Sequence, residues 1–120
     1  MKNIIYLKVY KGYIEVRAAG EDNEQKYYSS GLNHPRSLAG DFSEVESTVK
    51  DAISKQPKTW FGMFKPAVII HLVPAAEGGY TMLEEKFFRE AVLSSGVSKI
   101  IFISNERSVL NDERLYELNK

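Results

Sequence analysis

Apolar and polar residues alternate from the first turn of the chain. Ile5, Leu7 and Val9 fall on one side of an extended segment and Tyr6, Lys8 and Tyr10 on the other, the period-two pattern of a strand. Past Lys11-Gly12 the alternation resumes, with Ile14 and Val16 opposite Tyr13, Glu15 and Arg17. Two such runs across a short Gly-containing turn predict a hairpin. GEDNE then reads as a polar turn and QKYYSSG as a third, exposed strand.

The period changes in DFSEVESTVKDAISKQP, where Val45, Val49, Ala52 and Ile53 form one apolar stripe, Ser43 and Glu46 have capping-box spacing, and Pro57 bars extension. These features predict an amphipathic helix. PAVIIHLVP and KIIFIS are unbroken apolar runs, as expected of central parallel strands covered on both faces. Between them, TMLEEKFFREAVLSSG offers Thr81 and Glu84 as a capping box, Leu83, Phe87 and Ala91 in line, and a stop at Gly96, so a right-handed strand–helix–strand crossover is expected. NDERLYELNK predicts a last helix that buries Leu115 and Leu118.

The order is three antiparallel strands, helix, strand, helix, strand, helix. That is an α/β chain with a mixed five-stranded sheet and flanking helices, the ribonuclease H-like plan that also forms the core of each half of the actin-like ATPases. Residues 1–120 suit one domain, without repeat or linker.

Composition narrows the chemistry. Sixteen basic and sixteen acidic residues leave a formal net charge of zero, so no global field draws in nucleic acid or an anionic bilayer. Cysteine is absent, which removes thiolate nucleophiles, disulfides and Cys-based zinc sites and agrees with a reducing compartment. Lys8 and Lys11 interrupt the start before a signal-peptide core forms, and AVIIHLVPAA is far shorter than the ~20 residues that span a bilayer. A cytoplasmic protein without membrane insertion is expected.

Several segments together resemble the first subdomain of the MreB family of bacterial actins. IYLKVYKGYIEV sits without a gap on that family's first hairpin, whose leading strand ends Ile-Asp-Leu-Gly-Thr-Ala-Asn-Thr. AGDFSEVESTVKDAI is similar to the family's Ala-Asp-Phe segment and following helix, and KPAVIIHLVP to its strand ending Val-Pro. LEEKFFREAVLSSGVSKIIFIS is similar to the Glu-Arg-Arg-Ala helix, the Gly-Ala-Gly turn and the next strand. The likeness runs along nearly the whole chain, with about three extra residues, AAE, after Pro74.

The resemblance implies an ATP site, and the residues that would build one differ. In the family the first hairpin cradles phosphates with backbone amides, a glycine admits the nucleotide and an acid organises hydrated magnesium. Here Tyr6 stands for the acid, Lys8 for the glycine, and Val9, Tyr10 and Lys11 for the Thr-Ala-Asn of the turn. Where the family has a Glu-Glu-Pro that positions water, this chain has Ser104, Asn105 and Glu106. The family's second phosphate hairpin and opposing domain have no counterpart in these residues. Asp41, at the family's Ala-Asp-Phe, is expected to serve the amides of the first helix. A ribonuclease H-type nuclease needs a carboxylate on the first strand, and Tyr6 and Lys8 occupy that place. Neither ATP hydrolysis nor nuclease activity is expected.

Other candidates are weaker. His34 and His71 lack acids at metal-ligand spacing, and His71, inside an apolar strand, is expected to be a hydrogen-bonded core residue. Gly78 and Gly79 before a helix start suit an anion or a plain turn. In KTWFGMF, Trp60, Phe61, Met63 and Phe64 either plug the core or meet a partner. The outward face of the hairpin gathers Tyr6, Tyr10 and Tyr13, with Tyr27 or Tyr28 near, and Lys8, Arg17 and Lys26 around them. Aromatics beside cations serve single-stranded nucleic acid or protein interfaces, and zero net charge favours the second. A sheet face covered by the chain's own helix or loop is the alternative.

The expectation is therefore a noncatalytic protein-interaction module with no cofactor or metal. Its contact residues are expected to be Tyr6, Lys8, Tyr10, Tyr13, Trp60 and Phe61, and an outer strand near Lys26 to Ser30 offers pairing by strand addition. The expected partner is a protein: a second copy, an actin-like filament or a component of an envelope-associated machine. The competing expectation is a nucleotide-responsive binder that holds a phosphate with Lys8, Lys11 and Gly12 and does not hydrolyse it.

Overall fold

The structure, a computed structural model, describes residues 4–10, 12–20, 24–29, 42–55, 66–73, 82–103 and 108–119. Strands β1 (Ile4–Tyr10), β2 (Tyr13–Ala18) and β3 (Gln25–Tyr28) come first. They are followed by α1 (Phe42–Ser54), β4 (Ala67–Leu72), α2 (Met82–Leu93), β5 (Lys99–Ile103) and α3 (Asp112–Leu118). This is the order expected from the hydrophobic pattern.

The strands form one sheet in the order β3-β2-β1-β4-β5. β2 pairs antiparallel with β1 and β3, while β4 runs parallel to β1 and β5 parallel to β4. Tyr10 pairs with Tyr13, leaving a two-residue connection in which Gly12 has φ +82°. Only glycine enters that region without steric cost, so Gly12 sets the hairpin register.

Alternation along the strands assigns residues to two cores. Ile5, Leu7, Val9, Ile14, Val16, Val68, Ile70 and Leu72 pack against Val45, Val49, Ala52 and Ile53 of α1 and Phe88, Ala91 and Val92 of α2. The spacing of the α1 residues puts one stripe on the sheet, as a 3.6-residue period requires. On the opposite face Ile4, Tyr6, Ile69 and Ile103 pack against Leu110 and Leu115, with Ile101 and Leu118 at the margin. α3 therefore covers only part of that face.

Two local expectations are corrected. α1 begins at Phe42, so Ser43 lies inside the first turn and cannot act as the N-cap; Asp41 lies outside the described residues, as does Thr81. Among the described strands β5 is an edge strand and not a central one, because it pairs there with β4 alone. Its burial shows the difference: every residue of β4 is buried, whereas Ile100, Ile101 and Phe102 are only partly so. Periodicity reports that a strand is apolar on both faces but says nothing of its rank in the sheet.

Candidate functional site

The first hairpin and the strands beside it bring three rows of side chains onto the α3 face. Register places Tyr6 beside Arg17 and Ile69, Lys8 beside Glu15 and His71, and Tyr10 beside Tyr13. β3 extends the last two rows, with Lys26 opposite Glu15 and Tyr28 opposite Tyr13.

The first row is closed. Tyr6 is fully buried. Its hydroxyl oxygen accepts the Leu110 N–H at 3.0 Å and lies 2.6 Å from His71 Nδ1. The hydroxyl can accept from the Leu110 N–H and still offer its own proton to Nδ1. The two rings stack with centroids 5.9 Å apart, and burial pushes the Tyr6 phenol up to about 12. His71 is the hydrogen-bonded core residue expected from its strand. Arg17, whose guanidinium carbon lies 5.7 Å from the Tyr6 ring centre, pairs with Asp112 at the start of α3. That pairing, and above all the hydrogen bond from Arg17, holds the Asp112 carboxyl below its ordinary range.

The second row is an internal ion cluster. Lys8 is 3% exposed, with Nζ 2.6 Å from Glu24 and 4.0 Å from Glu15. The two carboxyls also interact with each other. Glu15 is raised by its hydrogen bond with Glu24 and by burial. Burial pulls Glu24 up as well, but hydrogen bonds with Glu15 and Lys8 outweigh it and hold Glu24 below its ordinary range. A buried ammonium is tolerated when it is paired in this way.

The third row is open. Tyr10 and Tyr13 stack with centroids 4.8 Å apart, Tyr28 follows at 5.9 Å, and Lys26 Nζ lies 4.6 Å from the Tyr13 ring centre. Tyr28 is 75% exposed, and Tyr10 and Tyr13 are half-buried.

The expected contact residues therefore divide. Tyr10 and Tyr13 share an accessible aromatic ladder with Tyr28. Tyr6 and Lys8 do not join it: one lies beneath α3 and the other is enclosed by two carboxylates, so neither offers an exposed contact. Tyr27 lies on the opposite face, packed against the main core. Lys11, Trp60, Phe61, Met63, Phe64, His34, Gly78, Gly79, Ser104, Asn105 and Glu106 lie outside the described residues. Glu24 was missed in the sequence because it sits in a polar turn; its only signal was an acid two residues before the Lys26–Glu15 pairing. Among the described residues no group of three His, Cys, Asp or Glu side chains is placed to hold a metal ion.

Comparison with known proteins bears on the fold. A solved structure titled MreB5 of Spiroplasma citri bound to ADP is similar with a TM-score of 0.57 at 10% sequence identity, covering 85% of this chain and 38% of that one. The fold is that of an actin-like subdomain. No family model matches, and no curated protein matches significantly. At this identity the likeness carries the fold alone, and the chain spans well under half of the MreB5 length. No helix among the described residues is long and apolar enough to cross a membrane.

Proposed function

We propose that this chain is a noncatalytic actin-like module that works through protein contacts, as part of a bacterial cytoskeletal or envelope-associated assembly in the cytoplasm. The observation that carries this reading is the filling of the hairpin face. Where the resemblance to the MreB family puts a magnesium-organising acid and a phosphate-admitting glycine, Tyr6 is hydrogen-bonded under α3 and Lys8 is bound to Glu24. A phosphate at Lys8 has to displace a carboxylate already seated there and then fit beside a side chain where the family has none. Among the described residues this face also presents the accessible Tyr10–Tyr13–Tyr28 ladder with Lys26, and tyrosine with a neighbouring cation is common in protein interfaces.

A thermal melt with and without magnesium-ATP or magnesium-ADP tests the reading. A ligand that binds the native state must raise its melting temperature, by about 2.7 kcal/mol of stability at a hundredfold excess over Kd. No shift and no phosphate release are expected. A shift abolished by Lys8→Ala establishes instead the nucleotide-responsive alternative built on Lys8, Lys11 and Gly12.

A further inference from the structure

We infer that β5 is a self-association edge, at which a second copy of this chain adds its own β5 antiparallel and continues the sheet. The inference rests on the interaction-module reading and names its partner.

The two edges of the sheet are built differently. β3 is four residues long, is largely exposed, and carries Lys26 in its middle. Short length and a central lysine are common protections against unwanted strand pairing. β5 has the sequence KIIFI, with its one charge at the first residue. Among the described residues its outer side has no strand partner, which leaves its backbone groups there for a ladder.

The side chains specify what such a partner has to be. Ile100 and Phe102 sit at the margin of the core beneath α1 and α2, and Ile101 at the margin of the core beneath α3. One strand further in, Val68, Ile69 and Ile70 are completely buried. Both apolar layers thus end half-covered at β5, and completing them takes a strand that is apolar on both faces. Among the described strands of this chain β1 and β4 are interior to the sheet, and β2 and β3 carry polar residues. β5 of another copy has the required character and the required unpaired side.

The register follows from symmetry. A two-fold axis perpendicular to the sheet keeps side chains on their own faces only if each facing pair lies an even number of residues apart. Centring it on Ile101 pairs Ile101 with its own copy, Ile100 with Phe102, and Lys99 with Ile103. All five residues are then used, and the two Lys99 ammoniums lie at opposite ends, roughly 13 Å apart along the strand. Centring on Ile100 or Phe102 leaves part of β5 unpaired.

The absence of cysteine makes the register directly testable. Facing residues in an antiparallel pair have Cα atoms about 4.5–5.5 Å apart, inside the roughly 4.4–6.8 Å span of a disulfide. Sedimentation velocity of the unmodified chain is expected to show a dimer. Ile101→Lys, checked for retained circular dichroism, is expected to weaken it at least about tenfold. Ile101→Cys is expected to yield a covalent dimer on mild oxidation, whereas Tyr28→Cys on the β3 edge does not. The cysteine pair decides the matter if the lysine variant unfolds. A chain that stays monomeric up to about 100 µM, near the weak end of specific association, overturns the inference, as does cross-linking through position 28 and not 101. Neither result bears on nucleotide binding, which the ATP melt tests separately.

Discussion

Tyr6→Phe removes one oxygen atom from a fully buried ring and cuts a hydrogen-bonded tie between parts of the chain that are remote in sequence. The hydroxyl joins β1 to His71 on β4 and to the backbone of Leu110, 104 residues away in sequence. Without it, the Leu110 N–H and His71 Nδ1 each lose the group they use. Leaving a buried donor or acceptor unsatisfied costs about 1–3 kcal/mol, so the variant is expected to lose about 2–4 kcal/mol. That is a large share of the ~5–15 kcal/mol by which a domain of this size is stable. At about 3–6 °C per kcal/mol the melting temperature falls by roughly 10 °C. Urea unfolding followed by circular dichroism measures the loss, with Tyr10→Phe on the half-exposed ladder as the control expected to stay within about 0.5 kcal/mol. The alkaline limb gives an independent reading. A phenol raised to about 12 in the folded state stabilises that state fully below its unfolded pKa of ~10, and the contribution is lost as pH climbs through the folded value. The natural chain is therefore expected to lose stability between those values more steeply than Tyr6→Phe. A loss below about 0.5 kcal/mol for Tyr6→Phe, or identical alkaline slopes, refutes the tie between β1 and the segment leading into α3.

Glu24→Gln strips Lys8 of its nearest counter-charge and is expected to cost about 1–3 kcal/mol, below the usual toll of a broken buried pair because the Glu24 side chain is 30% exposed; an unchanged urea midpoint contradicts the enclosed-ammonium account. Because Glu24 is held below its ordinary range, its contribution is full above the unfolded pKa and lost as pH falls through the lower folded value. Glu15 is raised, so its contribution is present at acid pH and lost as pH rises through the folded value; carboxyl resonances followed by NMR across the acid range check that the pair titrates in two separated steps. Asp112→Asn weakens the hold of Arg17 on α3 and is expected to cost about 1 kcal/mol or less, given a side chain 40% exposed, with faster amide exchange confined to α3. Gly20→Ala meets both a backbone at φ +90° and the Tyr116 hydroxyl 3.2 Å from the new Cβ, and is expected to lose about 1–3 kcal/mol in the same urea assay.

Element order, strand polarity and the assignment of residues to sheet faces were legible along the chain, because they follow from local periodicity. Alternation separates Ile5 from Tyr6 whatever else the chain does, and the stripe of Val45, Val49, Ala52 and Ile53 faces the sheet wherever that sheet lies. Depth within a face is different. Tyr6, Lys8 and Tyr10 alternate onto one surface, yet Tyr6 is sealed by Leu110 and Leu115, Lys8 by Glu24, and only Tyr10 remains accessible. Those neighbours arrive from the turn after β2, from the last helix and from the segment leading into it, over sequence separations that no local pattern encodes. The rank of β5 was hidden for the same reason: an apolar run records that both faces are dry, while its position at the edge is set by how many strands the remainder of the chain supplies. Sequence alone thus determined which side chains share a surface; tertiary structure decided which of them water, or a partner, can reach, because burial depends on contacts between segments remote in sequence.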